Sequence, residues 1–383
     1  MLNAIFAGAP ALLRAGGASS PGFIVGPIAK LMGIVYDWLF NFIYSFSETG
    51  SLVMAIILFT ILVKLVLFPL SYKQIKGTYR MQMLQPELNK IKQKYANKND
   101  EESQRRMAFE MQEFQRENGA SMFAGCLPLL IQLPILYALY YIFNQPYDYV
   151  GVINDVYTNI TQSILNIDAA TRVDVLTPIV LARENMQVDV SVFDQVMALV
   201  KTMSDTEWNS VLSALGTAGN GLAEFVAQKN SIEYFFGLNL VSTAGLSFPG
   251  IIIPIVAGLT TYLSSWYMQK RQKAMNNGLT EDDPSAGMMK SMNIVMPIMM
   301  GVITINVPIA LGIYWTLSNL FSVLQTWGTY KVLDSKEKKG ELVFKDKKKH
   351  KKEEQQQKPT IVDRNKFTNQ KGAGGNGRDS KNR

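Results

Sequence analysis

Long apolar runs separated by short charged segments dominate the pattern of hydrophobic and polar positions. A helix crosses the bilayer core with ~20 mostly apolar residues, because unpaired backbone groups are too costly in lipid. Three runs have that length: residues 51–72, whose one charge is Lys64, and residues 120–143 and 248–268, which have none. A fourth uncharged stretch, 291–327, is too long for one helix. The pattern therefore predicts an all-α polytopic membrane protein.

The fourth stretch contains a natural point of division. Asn306 and Pro308 lie near its middle, and proline interrupts a helix because it lacks a backbone N–H. We therefore divide the stretch into two spans, 291–305 and 308–327, joined by a tight turn. The sequence predicts five transmembrane helices in all.

An amphipathic segment, residues 23–46, precedes the first span and follows an N-terminal extracellular segment, residues 1–22. One of its faces is polar and carries Lys30, Asp37, Asn41 and Ser45. The other face is apolar and carries Ile24, Ile28, Leu31, Val35, Trp38, Leu39, Phe42 and Phe46. This pattern is typical of a helix that lies in the membrane interface. The alternative, a sixth span, places Asp37 near the bilayer centre at a cost of ~2.5–3.5 kcal/mol.

Charges between the runs indicate the orientation. Residues 73–119 contain ten Lys and Arg and residues 269–290 contain four, whereas residues 144–236 contain four basic and eleven acidic side chains. Cytoplasmic loops are enriched in Lys and Arg. We therefore expect the first two segments in the cytoplasm and the loop 144–247 outside. The N-terminus is then outside and the C-terminus inside.

Two cytoplasmic segments have recognisable character. Residues 73–119 have apolar positions at helical spacing on both sides of a turn at 96–99, which predicts a helical hairpin. This hairpin is either an ordinary helical loop or a docking surface for clients. Residues 331–383 are low in complexity, with 17 basic and eight acidic side chains, and are predicted to be disordered. Such a tail binds phosphate backbones or anionic lipids, or serves only to set topology.

Composition excludes most catalytic classes. Hydrophobic residues make up 48% of the 383 and charged residues 18%, against a usual ~25% charged. One Cys and one His exclude a disulfide framework and a Cys/His metal site. The spans contain neither His nor a carboxylate, which argues against an intramembrane hydrolase. We expect no enzyme activity and no cofactor.

Lys64 is the one ionisable residue predicted deep in a span. An ionisable group at that depth is expensive unless it faces water or a partner, so it marks a functional site. The other four spans offer no Asp or Glu, and a water-filled pocket is the cheapest alternative. Snorkelling is the competing explanation, but Lys64 lies eight residues, or ~12 Å of helix, from the cytoplasmic end of its span.

Uncharged polar residues in the spans complete a candidate groove. Helix–helix hydrogen bonding explains Gln132 and Asn319 equally well. Thr60 lies one helical turn from Lys64. Trp315, Asn319 and Ser322 in the last span share one helix face. The candidate groove and client-binding residues are Lys64, Thr60, Gln132, Trp315, Asn319 and Ser322.

Several motifs follow one another along residues 24–330. They are AIILFTILVKLVLFPL (55–70), KQ (73–74), QPEL (85–88), CLPLLIQLPILYALY (126–140), FFGLNL (235–240), PGIIIPIVAGLTTYL (249–263), MPIMM (296–300) and IALGIYWTLSNLFSVLQ (309–325). In their order and spacing the chain resembles the YidC/Oxa/Alb family of membrane protein insertases, in its bacterial five-span form.

The resemblance implies a chaperone-like protein of the bacterial plasma membrane that inserts and helps to fold nascent membrane proteins. It implies a hydrophilic groove that carries one positive charge, is open to cytoplasm and lipid and is closed outside, next to a mobile cytoplasmic hairpin that receives clients. Family members usually carry Arg where this chain has Lys64. Expected partners are nascent membrane proteins, the ribosome, the Sec translocon, the signal recognition particle pathway and anionic lipids.

Two other functional classes stay open at this point. A small-solute transporter usually has inverted repeats, and no internal duplication is visible here. A membrane scaffold that docks ribosomes needs no groove, and it leaves Lys64 unexplained.

Overall fold

The computed structural model describes residues 22–96, 98, 100–119, 127–183, 188–275 and 284–341. Nearly all of the predicted segment 1–22, the beginning of the predicted span 120–143, part of the loop 269–290 and most of the tail 331–383 lie outside these residues. The chain divides into two units, residues 1–336 and 337–383. Of the second unit the described part is 337–341, which completes the last helix and ends in a turn at Gly340.

The described residues are mostly helical, with one short β-hairpin between the tenth and eleventh helices. The helices are α1 (Gly22–Tyr44), α2 (Ser51–Val66), α3 (Phe68–Tyr95), α4 (Glu101–Glu117), α5 (Leu127–Asn144), α6 (Gly151–Leu165), α7 (Ala169–Leu181), α8 (Phe193–Val200), α9 (Asp205–Leu215), α10 (Asn220–Glu233), α11 (Ile252–Met275), α12 (Pro284–Ile305) and α13 (Ile309–Lys338). The hairpin pairs β1 (Tyr234–Phe235) with β2 (Leu238–Asn239). This hairpin is not part of the all-α prediction, and its two-residue turn takes positive φ at Phe236 and Gly237.

The first predicted span, 51–72, is bent in the structure. Helix α2 ends at Val66, and α3 begins at Phe68 at an angle of 59° to it. The physical reason is Pro69, which has no N–H to donate and whose ring clashes with the carbonyl four residues earlier. Within the described residues, no individual helix combines the length and apolarity needed to cross a bilayer, although α2 and α3 meet that test when taken as one bent pair.

Helices α3 and α4 form a helical hairpin whose first arm begins at Phe68, before the predicted start at residue 73. Asp100 caps α4 by accepting a hydrogen bond of 2.8 Å from the N–H of Ser103, and acidic residues occupy the first turn, where the helix dipole favours them. Lys94 of α3 forms a 2.8 Å ion pair with Glu110 of α4. The two arms are therefore joined by side-chain contacts as well as by the connecting turn.

The predicted external loop, 144–247, folds into several helices, and we call this segment the external domain after its predicted side of the membrane. Its helices α6 to α10 enclose buried side chains that include Ile160, Val196 and Trp208. A reciprocal capping box between Ser204 and Glu207 starts α9. The charge pattern predicted only a loop here and gave no indication of these buried side chains.

The last two helices meet where the sequence analysis divided the long apolar stretch. Helix α12 ends at Ile305 and α13 begins at Ile309. The segment that follows the hairpin runs beside this turn, since the N–H of Gly245 donates to the Ile305 carbonyl at 3.0 Å and the N–H of Ala310 donates to the Leu240 carbonyl at 2.9 Å. The turn is thus attached to the chain that leaves the external domain.

The boundary of the predicted disordered tail needs correction. Helix α13 continues to Lys338, past the predicted start at residue 331. Tyr330 and Leu333 are buried, and Asp334 is paired with Arg271 of α11. Local composition indicated disorder, but tertiary contacts hold these turns in a helix.

Candidate functional site

Lys64 and Ser322 meet between α2 and α13. The Lys64 Nζ donates to the Ser322 Oγ at 3.0 Å, and the Ser322 Oγ in turn donates to the Ser318 carbonyl at 2.8 Å. The side-chain amide of Gln325 donates to the Lys64 backbone carbonyl at 3.3 Å, which joins the same two helices. Two residues predicted from separate spans therefore form one polar site.

The charge of Lys64 is only partly compensated. No carboxylate in the described part of the chain lies within ion-pair distance of its ammonium group. An ammonium has three donors, and Ser322 takes one of them. The half-buried side chain is thus able to donate further hydrogen bonds to water or to an incoming carboxylate.

Thr60 does not join this polar site. Its hydroxyl donates to the Ile56 carbonyl of its own helix at 2.7 Å, and its side chain is buried. Threonine in a helix often bonds back in this way. The one-turn spacing from Lys64 gave no indication of this competing partner.

Gln132 and Asn319 link helices. The Gln132 amide donates to the Tyr314 hydroxyl at 3.2 Å, which connects α5 with α13. The Asn319 amide donates to Thr261 at 2.9 Å and to Thr260 at 3.3 Å, which connects α13 with α11. Of the two explanations left open by the sequence, helix–helix hydrogen bonding is the one that describes these contacts.

Trp315 lies at an apolar cavity rather than at the polar site. The cavity has a volume of about 330 Å³ and lies between α5, α12 and α13. Trp315 and Ser322 are seven residues apart on α13, or roughly 10 Å along the axis. Of the six predicted groove residues, Lys64 and Ser322 thus form the polar site and Trp315 lines a separate apolar cavity. The other three, Thr60, Gln132 and Asn319, take part in other hydrogen bonds. The cavity is lined by Leu133, Leu136, Tyr137, Tyr140, Ile303, Thr304, Val307, Leu311, Gly312 and Trp315.

A second charged cluster connects the hairpin with α11 and α13. Arg271 forms two hydrogen bonds to the Asp334 carboxylate, at 2.6 and 2.8 Å, and its guanidinium lies 4.8 Å from the ring centroid of Tyr330. The Tyr79 hydroxyl of α3 donates to the same carboxylate at 3.0 Å. We call Tyr79, Gln82, Arg271, Tyr330 and Asp334 the cytoplasmic cluster, after the side of the membrane on which the sequence predicts these segments to lie.

Tyr330 completes the cytoplasmic cluster through Gln82 of α3. Burial raises the pKa of Tyr330 to about 12, so its hydroxyl stays protonated at neutral pH and donates to the Gln82 Oε1 at 2.9 Å. This cluster was not predicted from the sequence. Its members come from three distant parts of the chain, around Tyr79, Arg271 and Tyr330, and no local spacing relates these parts to one another.

Comparison with known proteins identifies the family. A family model described as the 60Kd inner membrane protein matches residues 42–337, which include all of the site residues. The chain belongs to this family. Members of the 60Kd inner membrane protein family are therefore the proteins with which the chain's site is best compared.

Curated relatives have consistent names. The chain is 28% identical to the membrane protein insertase YidC of Clostridium perfringens over 84% of this chain and 98% of that protein. It is 29% identical to YidC 1 of Lactococcus lactis over 82% and 81% of the two chains. It is 27% identical to the insertase MisCA of Bacillus subtilis over 72% and 68%. The resemblance stated from the motifs is confirmed.

Proposed function

We propose that this chain is a membrane protein insertase that carries polar flanks of nascent membrane proteins part-way across the bilayer. Its relatives in the family bear that name. The observation that carries the mechanism is the Lys64–Ser322 pair, in which a half-buried cation has a neutral partner and no carboxylate among the described residues. A cation held in this way attracts acidic groups without being neutralised beforehand.

The proposed placement in the membrane keeps five spans: 51–72, 120–143, 248–268, 291–305 and 308–327. Exposed apolar side chains support it, because they recur four residues apart along three helices and a contiguous apolar surface marks membrane contact. These side chains are Ile255, Leu259 and Leu263 on α11, Ile294, Ile298 and Val302 on α12, and Leu320 and Leu324 on α13.

Helix α1 is proposed to lie at the outer membrane surface. Three contacts join it to the external domain: the ring of Tyr149 lies against Gly33, the N–H of Gly151 donates to Asp37, and Gln228 donates to Tyr44. Gly33 and Tyr44 are eleven residues, or roughly 16 Å, apart along the helix. Contacts with external residues over that length favour a helix along the surface over one that descends through the bilayer.

The proposed mechanism needs no covalent chemistry. A client's polar flank meets an apolar barrier of ~30 Å, and a wet groove that reaches part-way shortens it. Lys64 attracts acidic residues of that flank, and the membrane potential assists their outward movement. The client's apolar segment then moves sideways into lipid. The apolar cavity at Trp315 lies on this proposed path.

Expected partners follow from the same proposal. Nascent membrane proteins are the clients, and the hairpin α3–α4 receives them at the cytoplasmic face. The basic tail contacts the ribosome or anionic lipids through phosphate groups. Cooperation with the Sec translocon and delivery by the signal recognition particle pathway complete the proposed setting in a bacterial plasma membrane.

A charge-specific insertion assay tests the mechanism. The full chain is reconstituted into vesicles, and insertion is measured for two single-span clients that differ only in an acidic or a neutral translocated flank. We expect Lys64→Arg to keep both activities and Lys64→Ala to reduce insertion of the acidic client about tenfold, which corresponds to ~1.4 kcal/mol. Lys270→Ala is the matched control, because it removes an exposed lysine from the same predicted cytoplasmic half. Equal losses for both clients would contradict a charge-based mechanism.

Accessibility of position 64 tests the groove separately. A single Cys is placed there in a Cys126→Ser background and treated from each side with a membrane-impermeant thiol reagent. Labelling from the cytoplasmic side alone is the expected result. Labelling from both sides would point to a channel or transporter.

A further inference from the structure

A polar cleft lies between α1 and the short turn at the beginning of the external domain. Its volume is about 470 Å³. One wall is a single face of α1 on which lining residues recur at helical spacing, and the other wall is the turn after α5. The residues that line the cleft are Gly26, Lys30, Gly33, Ile34, Asp37, Asp148 and Tyr149.

The shape of the cleft depends on a close approach at Gly33. A Cβ atom on this residue would lie 2.5 Å from the Tyr149 Cδ1, so no larger residue fits beneath the ring. Asp37 is held in place because its Oδ1 accepts a 2.9 Å hydrogen bond from the Gly151 N–H. The cleft is therefore built from fixed groups rather than from mobile surface side chains alone.

The charges that border the cleft are separated and balanced. Lys30 lies seven residues, or roughly 10 Å of helix, before Asp37, and it forms no ion pair with a described carboxylate. Asp148 is paired at 3.1 Å with Lys201, which lies outside the lining. Two positive and two negative charges thus cancel, with a free cation at one end and carboxylates at the other.

An apolar surface continues from one edge of the cleft. Leu31, Ile34 and Trp38 of α1 are 66%, 61% and 65% exposed, and Ile34 itself lines the cleft. Large exposed apolar side chains beside charged groups are typical of a helix that meets both headgroups and acyl chains. Tryptophan in particular is enriched at that depth.

We propose that this cleft binds the headgroup of a phosphatidylethanolamine lipid of the outer leaflet. Lys30 contacts the phosphate, the free oxygens of Asp37 and Asp148 accept hydrogen bonds from the ammonium, and the acyl chains run along Leu31, Ile34 and Trp38. The balanced charge favours a zwitterion over an anionic lipid. The inference rests on the proposed placement of α1 at the membrane surface, but not on client insertion.

Lipid retention by the full chain tests this inference. The protein is extracted from vesicles that contain equal amounts of phosphatidylethanolamine, phosphatidylcholine and phosphatidylglycerol, and the lipids that stay bound are counted by native mass spectrometry. We expect phosphatidylethanolamine to be retained about fivefold over phosphatidylcholine, as two partly exposed ion contacts allow. Phosphatidylcholine is the most informative comparison, because its quaternary ammonium carries the same charge but has no N–H to donate to the carboxylates.

Variants assign the two ends of the headgroup. Lys30→Ala should abolish the retention, while Asp37→Asn, which keeps a carbonyl for the Gly151 N–H, should remove the preference over phosphatidylcholine. Asn41→Ala, an exposed polar change on the same helix, is the matched control and should leave retention unchanged. Lys64→Ala should also leave it unchanged, so failure of the insertion mechanism and failure of the lipid site are read separately.

Three results would overturn the proposal. They are equal retention of phosphatidylethanolamine and phosphatidylcholine, a preference for phosphatidylglycerol, and a loss of the preference over phosphatidylcholine in Asn41→Ala as large as in Asp37→Asn. Soluble glycerophosphoethanolamine should not displace the lipid, because it lacks the acyl chains. Displacement by it would assign the cleft to a free solute instead.

Discussion

Two lysines in different regions of the molecule are held in opposite ways. In the external domain, Lys229 forms a 3.0 Å ion pair with Glu233, and both side chains are almost fully buried. The hydroxyl of Tyr157 donates to the other oxygen of that carboxylate at 2.8 Å. Between α2 and α13, the Lys64 ammonium donates to the hydroxyl of Ser322 and pairs with no carboxylate among the described residues.

This difference means that the charge of Lys229 serves the structure, whereas the charge of Lys64 is available to a further partner. Burial and the charge of Glu233 raise the pKa of Tyr157 well above its usual value, so its hydroxyl stays a donor and Glu233 is satisfied on both oxygens. A buried charge without such partners is costly. In the external domain, Lys229 is neutralised by a carboxylate one helical turn away. Lys64, between α2 and α13, stays able to attract a transient partner.

The largest predicted effect comes from breaking the structural pair. Glu233→Ala leaves the Lys229 ammonium buried without its carboxylate and should destabilise the external domain by about 3–5 kcal/mol. Hydrogen exchange of the amides of α6 and α10 in the full chain measures this loss. Glu224→Ala, which removes an exposed carboxylate from the same helix, is the control and should have little effect. A loss below 1 kcal/mol in Glu233→Ala would show that the pair is dispensable.

Apolar runs and proline positions made much of the fold predictable. The turn between α12 and α13 falls at the predicted division because Pro308 cannot continue a helix. The bend after Val66 was missed, although Pro69 is its visible cause. The ion pair of Lys229 and Glu233 has the (i, i+4) spacing of a helical pair and could have been predicted from the sequence.

The candidate site residues were named one span at a time, and their arrangement was not predictable. Lys64 and Ser322 were both named from their own spans, yet only tertiary packing shows that residues 258 positions apart touch. Thr60 stays apart from the Lys64–Ser322 contact because its hydroxyl donates to a carbonyl of its own helix. The predicted start of the disordered tail is wrong because Arg271 and Asp334 come together from distant segments. Helix periodicity describes one element at a time, and these contacts depend on pairs of elements.

An intermediate effect is predicted for the cytoplasmic cluster, which resembles the external pair in chemistry but is more exposed. The side chains of Arg271 and Asp334 are 28% and 34% exposed, so solvent weakens their attraction. Arg271→Ala should cost about 1.5–2 kcal/mol, the lower part of the range for hydrogen bonds to charged groups. Hydrogen exchange around Tyr79 in α3 should increase in proportion, because the Asp334 carboxylate that accepts from Tyr79 loses the guanidinium that holds it.

A double-mutant cycle with Asp334→Asn isolates that interaction. The two single changes should not add, since either one removes the same contact. Lys270→Ala, the exposed neighbour of Arg271, should leave the exchange of α3 unchanged. Additive losses would mean that Arg271 stabilises the hairpin mainly through the ring of Tyr330.

The smallest effect on stability is predicted for Lys64→Met. This change removes a poorly compensated charge and leaves no carboxylate unpaired, because the partner of Lys64 is a hydroxyl. The Ser322 hydroxyl also keeps its own hydrogen bond to the Ser318 carbonyl. Thermal unfolding of the reconstituted protein should therefore shift by less than about 1 kcal/mol, and replacement of a poorly paired cation by an apolar side chain favours a gain. Lys229→Met is the direct comparison, and it should cost several kcal/mol because Glu233 then stays buried and alone. If Lys64→Met destabilised the protein as much as Lys229→Met, the Lys64 cation would be structural, and its effect on insertion would follow from misfolding rather than from lost attraction to clients.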